Sequence, residues 1–160
     1  METFYALEPC WLSLDRFYKV YADDNALYGA VLAGQVYDET SAQLLLIAPA
    51  PFLAPLTTRW AERLLNRREE REQKYDQMDP TSAQFLRENK HNFWILKKDI
   101  LTAEIRKKGR TVWTWSLRIS GLLRITTKDR RVKKFILVGH QDVDSISAMV
   151  GNGRFSRNLT

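Results

Sequence analysis

The chain has 160 residues, of which 44% are apolar and 28% are charged, with one cysteine and two histidines. This length fits one domain, and the composition excludes collagen-like, disulfide-stapled and wholly disordered proteins. Neither histidine has a partner at zinc-ligand spacing, and no glycine-rich loop precedes a helix to hold a phosphate. We therefore predict a single domain over residues 1–160 that is not an enzyme and needs no cofactor.

Charge is concentrated in the second half of the chain. The net charge is +6, but residues 1–58 sum to −5 and residues 85–138 to +11. Such a basic stretch attracts polyanions or an anionic membrane surface. Lysines and arginines at strand edges and hairpin tips also keep a protein soluble, so solubility alone is the alternative explanation.

Residues 1–14 contain no lysine or arginine and no long apolar run, so no secretory signal is predicted and a cytoplasmic location is expected. Residues 42–56 are apolar, but they are fewer than the ~20 that a spanning helix needs and include three prolines. We expect a short buried helix over 41–48, followed by a proline-rich turn. A patch for a partner or for peripheral contact with a membrane is the alternative.

Alternating aromatic residues predict a first strand over 16–23, and an extended segment over 26–36 follows it. The acidic turn at residues 23–25 joins these two segments into a β-hairpin. Residues 38–90 then change to helical spacing and are predicted to be a helical insertion.

Within this insertion the sequence predicts a helix over 59–78 and a short one over 81–89. Apolar positions stop recurring after Leu65, so the second half of the longer helix should be exposed to solvent. Two pairs of opposite charge lie there at i,i+4 spacing, Arg68–Glu72 and Glu70–Lys74.

After His91 the pattern becomes β again. Five strands are predicted, over residues 92–97, 99–108, 112–120, 122–128 and 132–138. Gly121 separates two alternating runs, which predicts a tight reversal there and pairing between the third and fourth of these strands. The predicted core positions are Trp113, Trp115, Leu117, Ile119, Phe135 and Leu137. A closing helix follows near residues 142–150, with Asp142 or Asp144 as its cap.

The stretch from Phe85 to Val150 reads FLRENKHNFWILKKDI, then GLLRITTKDRRVKKFILVG, and finally DVDSISAMV. It contains a strand ending in a hydrophilic residue and Ile, a Gly-led strand with a turn and a basic strand, and a closing helix. This succession resembles the C-terminal half of bacterial pleckstrin-homology-like (PH-like) domains, close to GRAM-type modules. The resemblance implies an α+β fold, a seven-stranded antiparallel β-barrel closed by a C-terminal helix, with the helical insertion between strands 2 and 3.

The resemblance also implies a binding module, which in some relatives takes anionic lipid head groups and in others peptides or partner proteins. The lipid-binding relatives place basic residues in the loop between their first two strands. Here the turn at residues 23–25 occupies that position and is acidic. No ligand residue is therefore carried over from the family.

Basic residues at two predicted hairpin turns are the remaining candidates for an anion-binding or partner-binding site. They are Lys107, Lys108, Arg110, Arg130, Arg131, Lys133 and Lys134. If both turns lie at one end of the barrel, these residues form one exposed patch, and exchanging Lys133 and Lys134 for Glu should scarcely change stability.

We expect an adaptor that binds a protein partner or an anionic membrane surface. A basic protein associated with nucleic acid is one alternative. A structural subunit that docks through its proline-rich apolar segment is the other.

Overall fold

The computed structural model describes residues 1–10, 15–34, 54–107 and 119–151. The strands are β1 (Glu2–Glu8), β2 (Arg16–Ala22), β3 (Ala26–Ala33), β4 (Phe93–Leu96), β5 (Ile100–Lys107), β6 (Ile119–Thr127) and β7 (Val132–Val138). The helices are α1 (Ala54–Asp76), α2 (Ala83–Glu88) and α3 (Val143–Val150). A short 3-10 helix, Lys97–Asp99, links β4 to β5.

All seven strands belong to one antiparallel sheet with the order β4-β3-β2-β1-β7-β6-β5. The predicted α+β class and a seven-stranded antiparallel sheet are confirmed. The predicted closure into a barrel is wrong for the part of the chain that the structure describes, because β4 and β5 remain the two edges of the sheet. β4 has only four residues before the 3-10 helix begins, and the space beside it stays open.

The central strand, β1, is one that the sequence pattern does not predict. Phe4 and Ala6 are buried on one side of it, while Tyr5 and Leu7 pack on the other. Because both sides are covered, the strand lacks the polar and apolar alternation that marks a half-buried strand. With β1 counted, α1 and α2 lie between β3 and β4, and the turn at residues 23–25 joins β2 to β3 rather than the first two strands.

The reversal predicted at Gly121 is wrong, since β6 runs continuously through this residue. A Cβ atom at Gly121 would lie 2.8 Å from the carbonyl oxygen of Arg106, so the glycine admits the neighbouring backbone of β5. Phe135 and Leu137 are buried as predicted, whereas Ile119 is partly exposed. The core positions predicted within 112–118 and the helix predicted over 41–48 lie outside the described residues.

The sheet carries an apolar layer on each side. The inner layer lies between the two halves of the curved sheet and includes Tyr18, Phe135 and Ile146, the last from α3. The outer layer covers β1 to β3 and includes Tyr75 of α1 and Phe85 of α2. The closing helix is confirmed as α3, and its N-cap is Asp142, whose side chain accepts the N–H of Asp144.

The longer helix of the predicted insertion is present as α1, and its second half is mostly exposed as predicted. Arg68 contacts Glu72 at 3.3 Å as an i,i+4 pair. Lys74, however, pairs with Glu88 of α2 rather than with Glu70. This contact ties the two helices to each other.

Lys19 of β2 fixes α1 to the sheet. Its side chain lies between strand and helix, with Nζ 3.0 Å from Glu72 Oε1 and 2.8 Å from Asp76 Oδ1. Tyr21 donates its hydroxyl to Asp76 at 2.7 Å, and the Tyr5 hydroxyl donates to Glu72. Burial lowers the pKa of Lys19, but the hydrogen bonds to Asp76 and Glu72 outweigh burial and raise it above its ordinary value. The helix is therefore held by charge as well as by apolar contact.

Candidate functional site

An open cleft of about 1000 Å³ lies between the edge strand β4 and the hairpin of β6 and β7. One wall is formed by β4 and Asp99, and the other by Ile125 of β6, the turn after it and the start of β7. Glu8, at the end of the central strand, also lines the cleft. The opening exists because the sheet does not close between its two edges.

The turn from β6 to β7 carries part of the second predicted basic cluster, and Asp129 organises it. The Asp129 side chain accepts the Thr127 hydroxyl and pairs with the Arg131 guanidinium. The hydrogen bond from Thr127 is the main reason why the pKa of Asp129 lies below its ordinary value. Arg130 has a left-handed backbone with φ 63°. This geometry holds Arg131 at the mouth of the cleft.

Lys133 lies inside the cleft and is half-buried, not exposed as the sequence predicted. Its Nζ is 3.0 Å from Glu8 Oε1 and 4.5 Å from the centre of the Phe93 ring. The rings of Tyr18 and Phe135 are also within 6 Å of Nζ, at 5.9 and 5.7 Å. The floor of the cleft is thus the Lys133 cation over the Phe93 ring, with the buried rings of Tyr18 and Phe135 beneath them.

Glu8 neutralises the charge of Lys133 in the floor of the cleft. Tyr18 donates its hydroxyl to Glu8 Oε2 at 2.9 Å, and Arg16 approaches the same oxygen at 3.4 Å. Burial raises the pKa of Glu8, but Lys133, Tyr18 and Arg16 together outweigh it and bring the pKa below its ordinary value. Burial and the neighbouring Glu8 carboxylate raise the pKa of Tyr18. Glu8 is therefore an anion and the Tyr18 hydroxyl a donor at neutral pH.

The cleft carries balanced charge. Its basic residues are Lys128, Arg131 and Lys133, and its acidic residues are Glu8, Asp99 and Asp129. Two of each sign are already paired, whereas the side chains of Lys128 and Asp99 form no ion pair with any other described residue. A ligand can therefore meet one free charge of each sign here.

Among the predicted basic residues that the structure describes, Lys107, Lys134 and those of the β6–β7 turn do not form one patch. Lys107 ends β5, pairs in register with Gly121, and forms an ion pair of 2.7 Å with Asp144 of α3. The β6–β7 turn lies at the other end of β6, six residues and roughly 20 Å from Gly121. Lys108 and Arg110 lie outside the described residues.

Lys134 lies on a third surface, the outer face of β5 to β7. In register it faces Arg124 of β6, which in turn faces Glu104 of β5. With Leu122 and Ile136, these side chains border a shallow groove of about 360 Å³. The charges of Arg124 and Lys134 have no ion-pair partner in the described part of the chain.

Sequence reasoning missed several residues of the cleft. Glu8 and Asp99 come from segments that carried no prediction of function, and Trp94 belongs to a short strand. For Lys128, the one feature of the sequence that could have indicated a site residue was its position in the basic stretch over 85–138. For Trp94 the structure alone reveals that nearly half of its surface, 48%, is exposed.

Among the described residues, no three His, Cys, Asp or Glu side chains are grouped so that they could hold a metal ion. None of the helices in that part combines the length and the apolar composition that a membrane crossing requires. No family model matches the chain, and comparison with curated proteins and with solved structures gives no match either.

Proposed function

We propose that the chain is a PH-like binding module without catalytic activity, located in the cytoplasm, whose cleft receives a segment of a partner protein. The observation that carries this proposal is the composition of the cleft. Phe93 and Lys133 form its floor, an edge strand with the exposed Trp94 forms one wall, and paired and unpaired charges of both signs line the rest. Protein interfaces combine an apolar, aromatic centre with a polar rim in the same way.

The balanced charge favours a protein segment over a polyanion in this cleft. Lys133 and Arg131 are already neutralised by Glu8 and Asp129. A phosphate group would meet only one unpaired cation among the described residues of the cleft, Lys128, and would also lie near the Asp99 carboxylate, which opposes binding. A peptide can place an acidic group near Lys128 and a basic group near Asp99.

The PH-like assignment is supported by the order of the elements. Seven antiparallel strands are followed by a C-terminal helix that packs on the inner apolar layer, as the resemblance implies. The long helix and its short companion lie between β3 and β4 and cover the outer apolar layer. The cleft beside β4 is concave, as ligand-binding sites usually are, and it is therefore where we propose that the ligand binds.

An anionic membrane surface is the second candidate, and the outer face of β5 to β7 favours it. Arg124 and Lys134 face each other across β6 and β7, and Arg106 lies beside them on β5. Like charges directly opposite each other destabilise a sheet; Glu104 opposite Arg124 offsets part of this repulsion, and an anion bound beside Lys134 would relieve the rest. Peripheral attachment through this face would leave the cleft free.

Affinity capture with the intact chain as bait tests the proposal. We expect specific proteins to be retained by the wild type and by the outer-face variant Lys134→Glu. They should be lost from the cleft variants Trp94→Ala and Lys128→Glu. Retention by both cleft variants at wild-type level would refute a partner site in the cleft.

Vesicle flotation tests the second candidate. Vesicles of phosphatidylcholine with phosphatidylserine should bind the wild type more than vesicles of phosphatidylcholine alone, and added salt should weaken the binding. The variant Lys134→Glu should bind less, whereas Lys128→Glu should bind normally. Equal binding to both kinds of vesicle would exclude an anionic surface as the ligand.

A further inference from the structure

We propose that the partner segment binds in an extended conformation and adds a strand to the free edge of β4. This inference rests on the proposed function of the cleft and specifies the class of ligand. The cleft follows all four residues of β4, Phe93–Leu96. This wall of the cleft therefore offers both the main-chain groups of the free edge of β4 and its side chains.

The register of β3 and β4 shows which of these groups are free. The Lys97 N–H donates to the carbonyl of Asn25 at 2.8 Å, which continues the ladder beyond the strand. Hydrogen-bonded pairs alternate with non-bonded pairs in antiparallel strands. Because Lys97 and Asn25 form a hydrogen-bonded pair, Ile95 and Leu27, two residues along each strand, form the next one. The N–H and C=O of Trp94 and the N–H of Leu96 then point away from β3.

These outward groups lack a main-chain partner within the described ranges, where β4 is the last strand of the sheet. An extended peptide is the ligand that offers N–H and C=O groups at the matching spacing, as in strand addition to other sheet edges. A lipid head group or a phosphate could accept from one N–H but could not satisfy both donors and the Trp94 carbonyl together.

Side chains on both faces of β4 would contact those of the added strand and determine which sequences bind. Phe93 and Ile95 belong to the inner layer, next to Lys133, while Trp94 stands on the other face beside Tyr28, with ring centres 5.8 Å apart. Successive side chains of the added strand would alternate between these two faces. The ligand should therefore place an apolar or aromatic side chain against the exposed indole of Trp94.

The backbone of Leu96 allows a direct test. Its dihedral angles are φ −69° and ψ 131°, values that proline adopts without strain. Leu96→Pro therefore removes the outward N–H and should leave the ladder to β3 intact. Leu96→Ala is the matched control, because it also loses the side chain but keeps the N–H.

The probe is a set of peptides selected on the wild-type chain from a phage-displayed library of random sequences, with binding measured by calorimetry. We expect the selected peptides to bind Leu96→Pro about tenfold more weakly than Leu96→Ala. Methylating the peptide nitrogens one at a time should weaken binding at every second residue. On binding, the amide hydrogens of Trp94 and Leu96 should become protected from exchange in the wild type.

The outcomes separate this inference from the proposed function. Peptides that lose binding to Trp94→Ala but bind the Leu96→Pro and Leu96→Ala variants equally would leave the cleft as a binding site and overturn strand addition. Tolerance of methylation at every peptide nitrogen would overturn it as well, even if Leu96→Pro failed to fold. A library that yields no peptide dependent on the cleft would contradict both the proposed function and this inference.

Discussion

Lys133 and Glu8 are 125 residues apart in the chain, and their side chains form an ion pair of 3.0 Å in the cleft. The pair joins β7 to the end of the central strand. Successive side chains of a strand point to opposite faces, so Lys133 enters the cleft while its neighbour Lys134 lies on the other face of β7. Two adjacent lysines therefore have different environments and should respond differently to the same substitution.

We predict that Lys133→Glu lowers the free energy of unfolding by about 2–3 kcal/mol. The new carboxylate would lie against Glu8, whose side chain is only 16% exposed, and would lose the contact with the aromatic floor. Lys134→Glu should change stability by no more than about 0.5 kcal/mol, since it is exposed and would face Arg124. Urea unfolding of the two variants measures the difference, and equal losses would contradict the assignment of faces.

Helix α1 should loosen when the buried charge beneath it is removed. Lys19→Met leaves Glu72 and Asp76 without their shared cation, so we expect a loss of about 2 kcal/mol in unfolding free energy. Amide exchange should accelerate most in the second half of α1. The control Lys74→Met removes an exposed pair with Glu88 and should change stability by less than about 1 kcal/mol. Similar losses in both variants would show that Lys19 does not hold the helix.

Acid should destabilise the protein partly through Glu8. Its pKa in the folded state lies below the ordinary value, so its contribution to stability is present above about pH 4.3, the pKa of an unfolded Glu, and is lost as the pH falls through the folded pKa. Between about pH 6 and pH 3 the unfolding free energy of the wild type should fall more steeply than that of Glu8→Gln. Parallel curves would mean that Glu8 has the same pKa in both states.

Gly29 makes room for the aromatic floor of the cleft. A Cβ atom there would lie 2.1 Å from Cε1 of Phe93, so Gly29→Ala must displace this ring. We predict a loss of about 1–3 kcal/mol in unfolding free energy. In a Phe93→Leu background the same substitution should cost about 1 kcal/mol less, because the ring edge is absent. A double-mutant cycle measures this coupling, and additive losses would place the steric conflict elsewhere.

The elements that the sequence predicts well carry a strong local signal. The strand near 16–23 is marked by its alternating aromatic residues although both of its faces are buried, the strand near 132–138 and the closing helix are marked by their period, and the second half of α1 is marked by its charges; each is present. β1 is also covered on both faces, and its sequence ETFYALE shows no polar and apolar alternation. Gly121 was misread because a glycine at a turn and a glycine beneath a neighbouring backbone look alike in the sequence.

The cleft could not be predicted in the same way, since its walls come from distant segments. Glu8 meets Lys133 only through the pairing of β1 with β7, a long-range contact that no local pattern encodes. The basic clusters were visible as composition, but alternation along β7 and the opposite ends of β6 separate them in space. Composition gave the residue types of the site without their arrangement.

The position of β1 also affects how the chain is made. β1 pairs with β2 along its length, and these strands can associate as soon as both have been synthesised. Its other side must wait for β7, where Ala6 meets Leu137. While the segments between β2 and β7 are synthesised, the future centre of the sheet is therefore an unprotected edge, and the nascent chain is open to pairing with a neighbouring chain until β7 emerges.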